Sequence, residues 1–124
     1  MLRLAREGKA LRVVNDQIGS PTSALSLARA ICEIIACYDK ERSFRTSLLH
    51  YANGGVCSWY DLAHEAIATH VSTYDLSQLT PISTAEYPTA AERPAYSVLA
   101  TDRITACYGI TPPRWQDELQ IAID

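Results

Sequence analysis

Two short stretches of the 124-residue chain gather side chains able to hold a ligand. The first, Asp16-Gln17-Ile18-Gly19-Ser20-Pro21-Thr22, follows Leu11-Arg12-Val13-Val14, a β-branched run that reads as a strand. Polar residues just past a strand end lie where α/β sheets present ligand sites. The same stretch also reads as a plain turn leading into a helix cap. The second, Glu92-Arg93-Pro94-Ala95-Tyr96-Ser97, sets an arginine, an aromatic ring and a hydroxyl in a proline-stiffened loop. A guanidinium there could grip a diphosphate through paired N–H donors; a surface ion pair of little energetic weight is the plainer role. Trp59 and Trp115 stand at helix starts, where packing accounts for them better than stacking on a ligand.

Catalytic constellations are missing. A dinucleotide-binding turn needs three glycines at GxGxxG spacing, so that backbone amides can approach a pyrophosphate. Gly8, Gly19, Gly54, Gly55 and Gly109 do not supply it. A Tyr-x-x-x-Lys pair, in which the ammonium lowers the phenol's pKa for acid–base work, needs a lysine four residues after a tyrosine. The two lysines, Lys9 and Lys40, are preceded at that spacing by Ala5 and Ala36. His64-Glu65-Ala66-Ile67-Ala68 fails as a zinc-binding HExxH at its fifth position, and His64 and His70 are expected on the solvated side of their helix. No Gly-x-Ser-x-Gly elbow is present. Cys57 precedes a helix start, where a thiolate is favoured, but a small residue at a strand-to-helix corner explains it more simply. No catalytic, cofactor-binding or metal-binding residue is therefore assigned.

The elements that must position the two stretches follow from periodicity and punctuation. Met1 to Lys9 reads as the tail of a longer helix stopped at Gly8. Thr22 or Ser23 caps a helix running to about Tyr38, with Leu27, Ile31, Ile34, Ile35 and Tyr38 as its core face. Asp39 to Ser47 reads as a loop, and Leu48 to Ala52 as a strand closed by Asn53-Gly54-Gly55. Ser58 and Asp61 have capping-box spacing, opening a helix that buries Leu62, Ala63, Ala66 and Ile67. Leu79 to Ser83 is a short strand whose Pro81 suggests a sheet edge, and Thr84 to Tyr96 a long irregular loop. A helix from Thr101 stops at Gly109, and a last one near Pro113 and Trp115 buries Leu119 and Ile123. This alternation predicts an α/β fold with parallel pairing, about three short strands and four to five helices, too few strands for a free-standing doubly wound domain.

Composition agrees with a globular domain: 48% apolar and 20% charged residues. A net charge of −3 argues against a nucleic-acid binder acting through its overall field. No apolar run approaches the roughly 18 residues of a membrane span. Cys32, Cys37, Cys57 and Cys107 show neither CxxC nor paired metal spacing, which predicts buried free thiols and a reducing, cytoplasmic setting.

Four collinear blocks carry a family resemblance: MLRLAREGKALRVVNDQIGSPTSALSLA, HYANGGVCSWYDLAHEA, AEYPTAAERPAYSVL and GITPPRWQDEL. Through them the chain resembles the dTDP-4-dehydrorhamnose reductases of the extended short-chain dehydrogenase superfamily. The resemblance covers residues 1–124 as the carboxy-terminal, substrate-binding part of such an enzyme, with the amino-terminal NAD(P)-binding Rossmann half absent. It implies reduction of dTDP-4-dehydro-L-rhamnose to dTDP-L-rhamnose with NADPH or NADH, for cell-surface polysaccharide. The family's cofactor loop, catalytic Thr and Tyr-x-x-x-Lys pair precede the matched region, so none carries over. Asp16, Gln17, Thr22, Arg93 and Ser97 match the family's blocks and are the candidate lining of the sugar-nucleotide cleft. The last Ser-x-Leu block departs from the pattern at Ala100, where an Asp often caps the next helix; the departure costs about 1 kcal/mol unless Thr101 substitutes as the cap.

Taken alone, the chain is expected to be inactive. It is expected to self-associate through an unpaired edge at Leu48 to Ala52. Its ligand is a dTDP sugar nucleotide, bound weakly or not at all by this piece alone, rather than nucleic acid or membrane. A non-catalytic sugar-nucleotide-binding or regulatory module is the alternative.

Overall fold

The computed structural model describes residues 1–121, so the expected burial of Ile123 lies outside the described residues. The chain folds as two compact units, one built from Met1–Gly19 and Val56–Val98, the other from Ser20–Gly55 and 99–121.

In the first unit, helix α1 (Leu2–Arg6) leads to strand β1 (Leu11–Val14) and the two-residue strand β2 (Ile18–Gly19). Strand β3 (Cys57–Ser58) runs straight into helix α3 (Trp59–His70), and strand β4 (Leu79–Ile82) follows. Strands β1 and β4 pair in parallel, from Leu11 opposite Leu79 to Val14 opposite Ile82, while β2 and β3 pair antiparallel. The parallel pairing and the strand bounds agree with the α/β reading. Both strands of the parallel pair are buried at their two ends and exposed between them at Arg12, Thr80 and Pro81. Pro81 can sit here because a two-stranded sheet is all edge. Ala5, Leu11, Ala63, Ile67, Val71, Tyr74 and Leu79 form the core of this unit. The Tyr74 hydroxyl within it donates to the Lys9 carbonyl at 2.9 Å.

Helix α3 starts as its sequence demands. The Asp61 backbone N–H donates to Ser58 Oγ at 3.0 Å, and the Asp61 carboxylate accepts from the Ser58 backbone N–H at 2.8 Å. Both orphan donors of the first turn are thereby satisfied. His64 and His70 are half-buried rather than on a solvated face.

In the second unit, helix α2 (Ala24–Glu41) is capped by Ser23, whose hydroxyl accepts from the Ser26 N–H. It runs three residues beyond the expected end at Tyr38. No glycine stops it; Arg42 does, in the left-handed region at φ 55°, with its N–H on the Tyr38 carbonyl at 2.7 Å and its guanidinium over the Tyr38 ring. The expected core face also shifts. Ser26 and Ala30 are the buried residues of α2, with Ile34 packed beside the cluster of Ala30, Ile104 and Ile110, whereas Leu27, Ile31 and Ile35 are exposed.

Leu48 to Ala52 is not a strand. Its side chains alternate as a strand's would, Leu49 and Tyr51 packing on the cluster while Leu48 and His50 are exposed. Among the described residues, no backbone hydrogen bond is made by residues 49–52, and without a partner strand there is no ladder. Helices α4 (Asp102–Tyr108) and α5 (Trp115–Ile121) complete the unit. Gly109 ends α4 at φ 70°, as its position suggested, but Thr101 makes no side-chain cap. Helix α5 buries Trp115 and Glu118, with Leu119 only half-buried. All four cysteines are free; Cys57 is buried, Cys37 and Cys107 half-buried, and Cys32 exposed, so burial holds for one of the four. No helix among the described residues is long and apolar enough to cross a membrane.

Candidate functional site

Strand β1 delivers Asp16 and Gln17 to a fixed place. Pairing with β4 continues one bond past the strand, from the Asn15 N–H to the Ile82 carbonyl at 2.9 Å. That contact sets Asp16 opposite the short 3-10 turn Thr84–Glu86. There the Thr84 N–H donates to both oxygens of Asp16 at 2.9 Å, and the Thr84 hydroxyl donates to Oδ1 at 2.6 Å. Gln17 Nε2 donates to the same Thr84 hydroxyl at 3.1 Å. The turn is held at its other end by Glu86, whose carboxylate accepts from the Ser83 N–H at 2.9 Å, the Ser83 hydroxyl at 3.0 Å and Arg12 Nη2 at 3.1 Å.

These contacts set the electrostatics. Asp16 is held below the usual carboxylate range by the Thr84 hydroxyl first and the Thr84 N–H second. Glu86 is lowered mainly by the Ser83 N–H and hydroxyl, with Arg12 adding a smaller pull. Both carboxylates are therefore anionic near neutrality. Cys57 goes the other way: burial, and then the negative charge of Asp61, push its thiol up to about 11. A thiol so protonated is a poor nucleophile, which leaves Cys57 its packing role.

The second candidate stretch is stitched to the first through Ile18. The Ile18 N–H donates to the Ala95 carbonyl at 2.8 Å, and the Ser97 N–H returns to the Ile18 carbonyl at 2.9 Å. The Ser97 hydroxyl also donates to that carbonyl, at 3.2 Å. Gly19 allows a close approach here, since a Cβ would stand 3.1 Å from Ser97 Oγ and that hydroxyl would have to give way. Asp16, Gln17 and Ser97 thus belong to one assembly, with Arg93 on the loop that Ser97 anchors. Arg93 is exposed and makes no hydrogen bond or ion pair among the described residues. Thr22 belongs to the other unit, where its hydroxyl donates to the Ser20 carbonyl at 3.1 Å and accepts from the Asn53 N–H at 3.4 Å.

Thr84 and Asn53 escaped the sequence reading. Ser83-Thr84-Ala85-Glu86 has the S-x-x-E spacing of a cap, a signal that could have placed Thr84 at a turn. Asn53 is 2% exposed; its Oδ1 accepts from the Ser23 N–H at 2.7 Å and the Ser26 hydroxyl at 3.0 Å, and its Nδ2 donates to the Pro113 carbonyl at 3.1 Å. An open concavity of about 390 Å³ in the second unit, lined by Leu48, His50, Ala100, Asp102 and Arg103, holds none of the candidates.

The residues present do not fit a nicotinamide dinucleotide. A pyrophosphate cradle needs open space beside its glycines, where a Cβ would intrude on the ligand. Here Ser97 fills the space beside Gly19, the carbonyls of Pro112 and Pro113 that beside Gly54, and the Trp115 ring that beside Gly55. Gly8 and Gly109 are open, but each lies in the left-handed turn after a short helix. Among the described residues no group of three or more His, Cys, Asp or Glu could hold a metal ion.

Residues 1–124 match a family described as the RmlD substrate binding domain. The chain belongs to that family. It is 34% identical over 124 residues to a dTDP-4-dehydrorhamnose reductase of Burkholderia thailandensis, a match covering 94% of this chain and 42% of that protein. It is 38% identical over 121 residues to the Bacillus subtilis spore coat polysaccharide biosynthesis protein SpsK, covering 97% of this chain and 38% of SpsK. Among solved structures, a dTDP-4-dehydrorhamnose reductase from Clostridium acetobutylicum superposes with a TM-score of 0.83 at 34% identity, covering 98% of this chain and 40% of that one. The Bacillus anthracis dTDP-4-dehydrorhamnose reductase, solved in complex with NADP, gives the same TM-score at 29% identity, covering 97% and 40%. The RmlD-family chain thus spans about 40% of the length of the reductases it matches.

Proposed function

We propose that this RmlD-family chain is the sugar-nucleotide-binding part of a cytoplasmic reductase. That enzyme converts dTDP-4-dehydro-L-rhamnose to dTDP-L-rhamnose with NADPH or NADH. The observation that carries the reading is the match of the whole chain to a substrate-binding domain whose candidate residues Asp16, Gln17 and Ser97 are tied into one assembly. In this reading Gln17 and Arg93 face the ligand, the exposed guanidinium taking the diphosphate. Asp16 and Ser97, whose polar atoms are engaged internally, shape the cleft, and Thr22 secures the start of α2. Nicotinamide chemistry comes from an amino-terminal half not contained in these residues. Calorimetry with dTDP and dTDP-rhamnose tests the reading. Weak binding, about 100 μM or weaker, that falls about tenfold further in Arg93→Ala is the expected result; no binding by the wild-type chain sinks it.

The partner reading has support of its own. The unpaired backbone of residues 49–52 and the exposed Leu27, Ile31 and Ile35 on α2 are features that a further piece of chain would cover. Alone, the chain is expected to self-associate and to show no turnover with NADPH and the keto sugar. Sedimentation at rising concentration checks the first, and a monomer throughout counts against it. Measurable reduction by the isolated chain overturns the second. A non-catalytic sugar-nucleotide-binding or regulatory module is the alternative, because the chain holds none of the cofactor motifs; tight, sub-micromolar binding of dTDP-rhamnose by the isolated chain would favour it over the weak binding expected of a partial cleft.

A further inference from the structure

Asp16, Thr84 and Gln17 form a chain of hydrogen bonds that can run in one direction only. An ionised carboxylate accepts and never donates, so the Thr84 hydroxyl at 2.6 Å must give its single proton to Asp16. Thr84 Oγ1 then has only lone pairs left. What approaches it at 3.1 Å must be a donor, which is the amide nitrogen of Gln17. A flipped amide would set the carbonyl oxygen of Gln17 against the lone pairs of Thr84. The orientation of the Gln17 amide is thus fixed by Asp16, two bonds away, and Gln17 Oε1 is left on the opposite side of the amide without a partner among the described residues.

We propose that Thr84 is a positioning residue that holds the Gln17 amide so that Oε1 is presented to a hydrogen-bond donor of the ligand, a sugar hydroxyl or a base imide N–H. This rests on the reading of the assembly as part of a sugar-nucleotide cleft. Three observations support the relay. Asp16 is held below the usual carboxylate range, so the direction does not reverse at neutral pH. The Thr84 N–H also binds both Asp16 oxygens, so hydroxyl and backbone are aimed together. The turn carrying Thr84 is braced independently by the Ser83–Glu86–Arg12 contacts. A cleft built this way distinguishes a ligand donor from a ligand acceptor at that point, since an acceptor would meet Oε1 lone pair to lone pair.

The test uses the 124-residue chain with Thr84→Val, which keeps the shape and loses the hydroxyl, Thr84→Ser, which keeps it, and Asp16→Asn. Amide NMR of the Gln17 side chain reads the relay directly. The two amide protons should be well separated in the wild type and in Thr84→Ser, and should collapse towards exposed-glutamine values in Thr84→Val and Asp16→Asn. Identical Gln17 signals in the wild type and Thr84→Val overturn the relay. Calorimetry with dTDP-rhamnose reads the presentation of Oε1: Thr84→Val should bind roughly three- to tenfold more weakly and Thr84→Ser within about twofold. Wild-type affinity in Thr84→Val overturns the positioning role alone. No binding of dTDP-rhamnose by the wild type overturns the cleft reading, and the positioning role with it.

Discussion

Helices α2 and α3 each carry an apolar stripe, and the two stripes meet opposite fates. In α3, Ala63 and Ile67 are fully buried and Ala66 is 7% exposed. In α2, Leu27, Ile31 and Ile35 are 38%, 47% and 51% exposed, and the face turned inward is instead Ser26, Ala30 and Ile34. Periodicity reports that a helix has an apolar side; whether anything covers that side depends on residues elsewhere. The sharpest way to break the comparison is a pair of matched truncations. Ile67→Ala should cost about 2–5 kcal/mol, the range for emptying a buried site. Ile31→Ala should cost under about 0.5 kcal/mol, as at an open surface. Urea denaturation of both variants checks this, and equal losses would show that the α2 stripe is already covered in the chain.

Beside the packing of Ala30 and Ile34, polar contacts hold the start of α2. Asn53 engages the Ser23 N–H, the Ser26 hydroxyl and the Pro113 carbonyl from a site 2% exposed, tying the start of α2 to the segment before α5. Asn53→Ala strands those groups, and about 2 kcal/mol is the expected loss. The Ser58–Asp61 box at the head of α3 is a more local device. Ser58→Ala should cost about 1 kcal/mol, so thermal melts should rank the two in that order. The reverse order would mean that α2, too, depends chiefly on its cap.

Elements marked by their own residues were legible in the sequence. The Ser58 cap and the end of α4 at Gly109 close their own hydrogen bonds. Strands β1 and β4 find each other across the chain, but each is long enough to show a strand's composition. What has no signal of its own and exists only through a distant contact was not. Strands β2 and β3 have two residues each, too few for any period, and exist because Ile18 meets Ser58. Leu48 to Ala52 has a strand's alternation but lacks the second strand that would make it one. At the candidate site, Asp16 and Gln17 could be named from their place after β1. Thr84, 68 residues beyond Asp16, became visible only once the fold had set the two side by side.

The smallest expected effect lies at the carboxy-terminal end of α2. Arg45 Nε donates to Glu41 Oε2 at 2.9 Å and Nη1 to the Cys107 carbonyl at 2.7 Å, while the Arg45 N–H meets the Tyr108 hydroxyl at 3.0 Å. The Arg45 hydrogen bond, more than its charge at a distance, lowers the Glu41 carboxyl below its ordinary 4.5. A carboxylate with a lowered folded-state pKa contributes stability that is fully present above the unfolded value and is lost as pH falls through the folded one. Wild type and Glu41→Gln should therefore differ most at pH 6 and converge in acid. Asp16 and Glu86 shift in the same direction, so an acid-side slope should survive in Glu41→Gln, only shallower. An offset that stays constant from pH 6 into acid would mean that the glutamate works through packing, and that this end of α2, like its exposed stripe, owes little to charge.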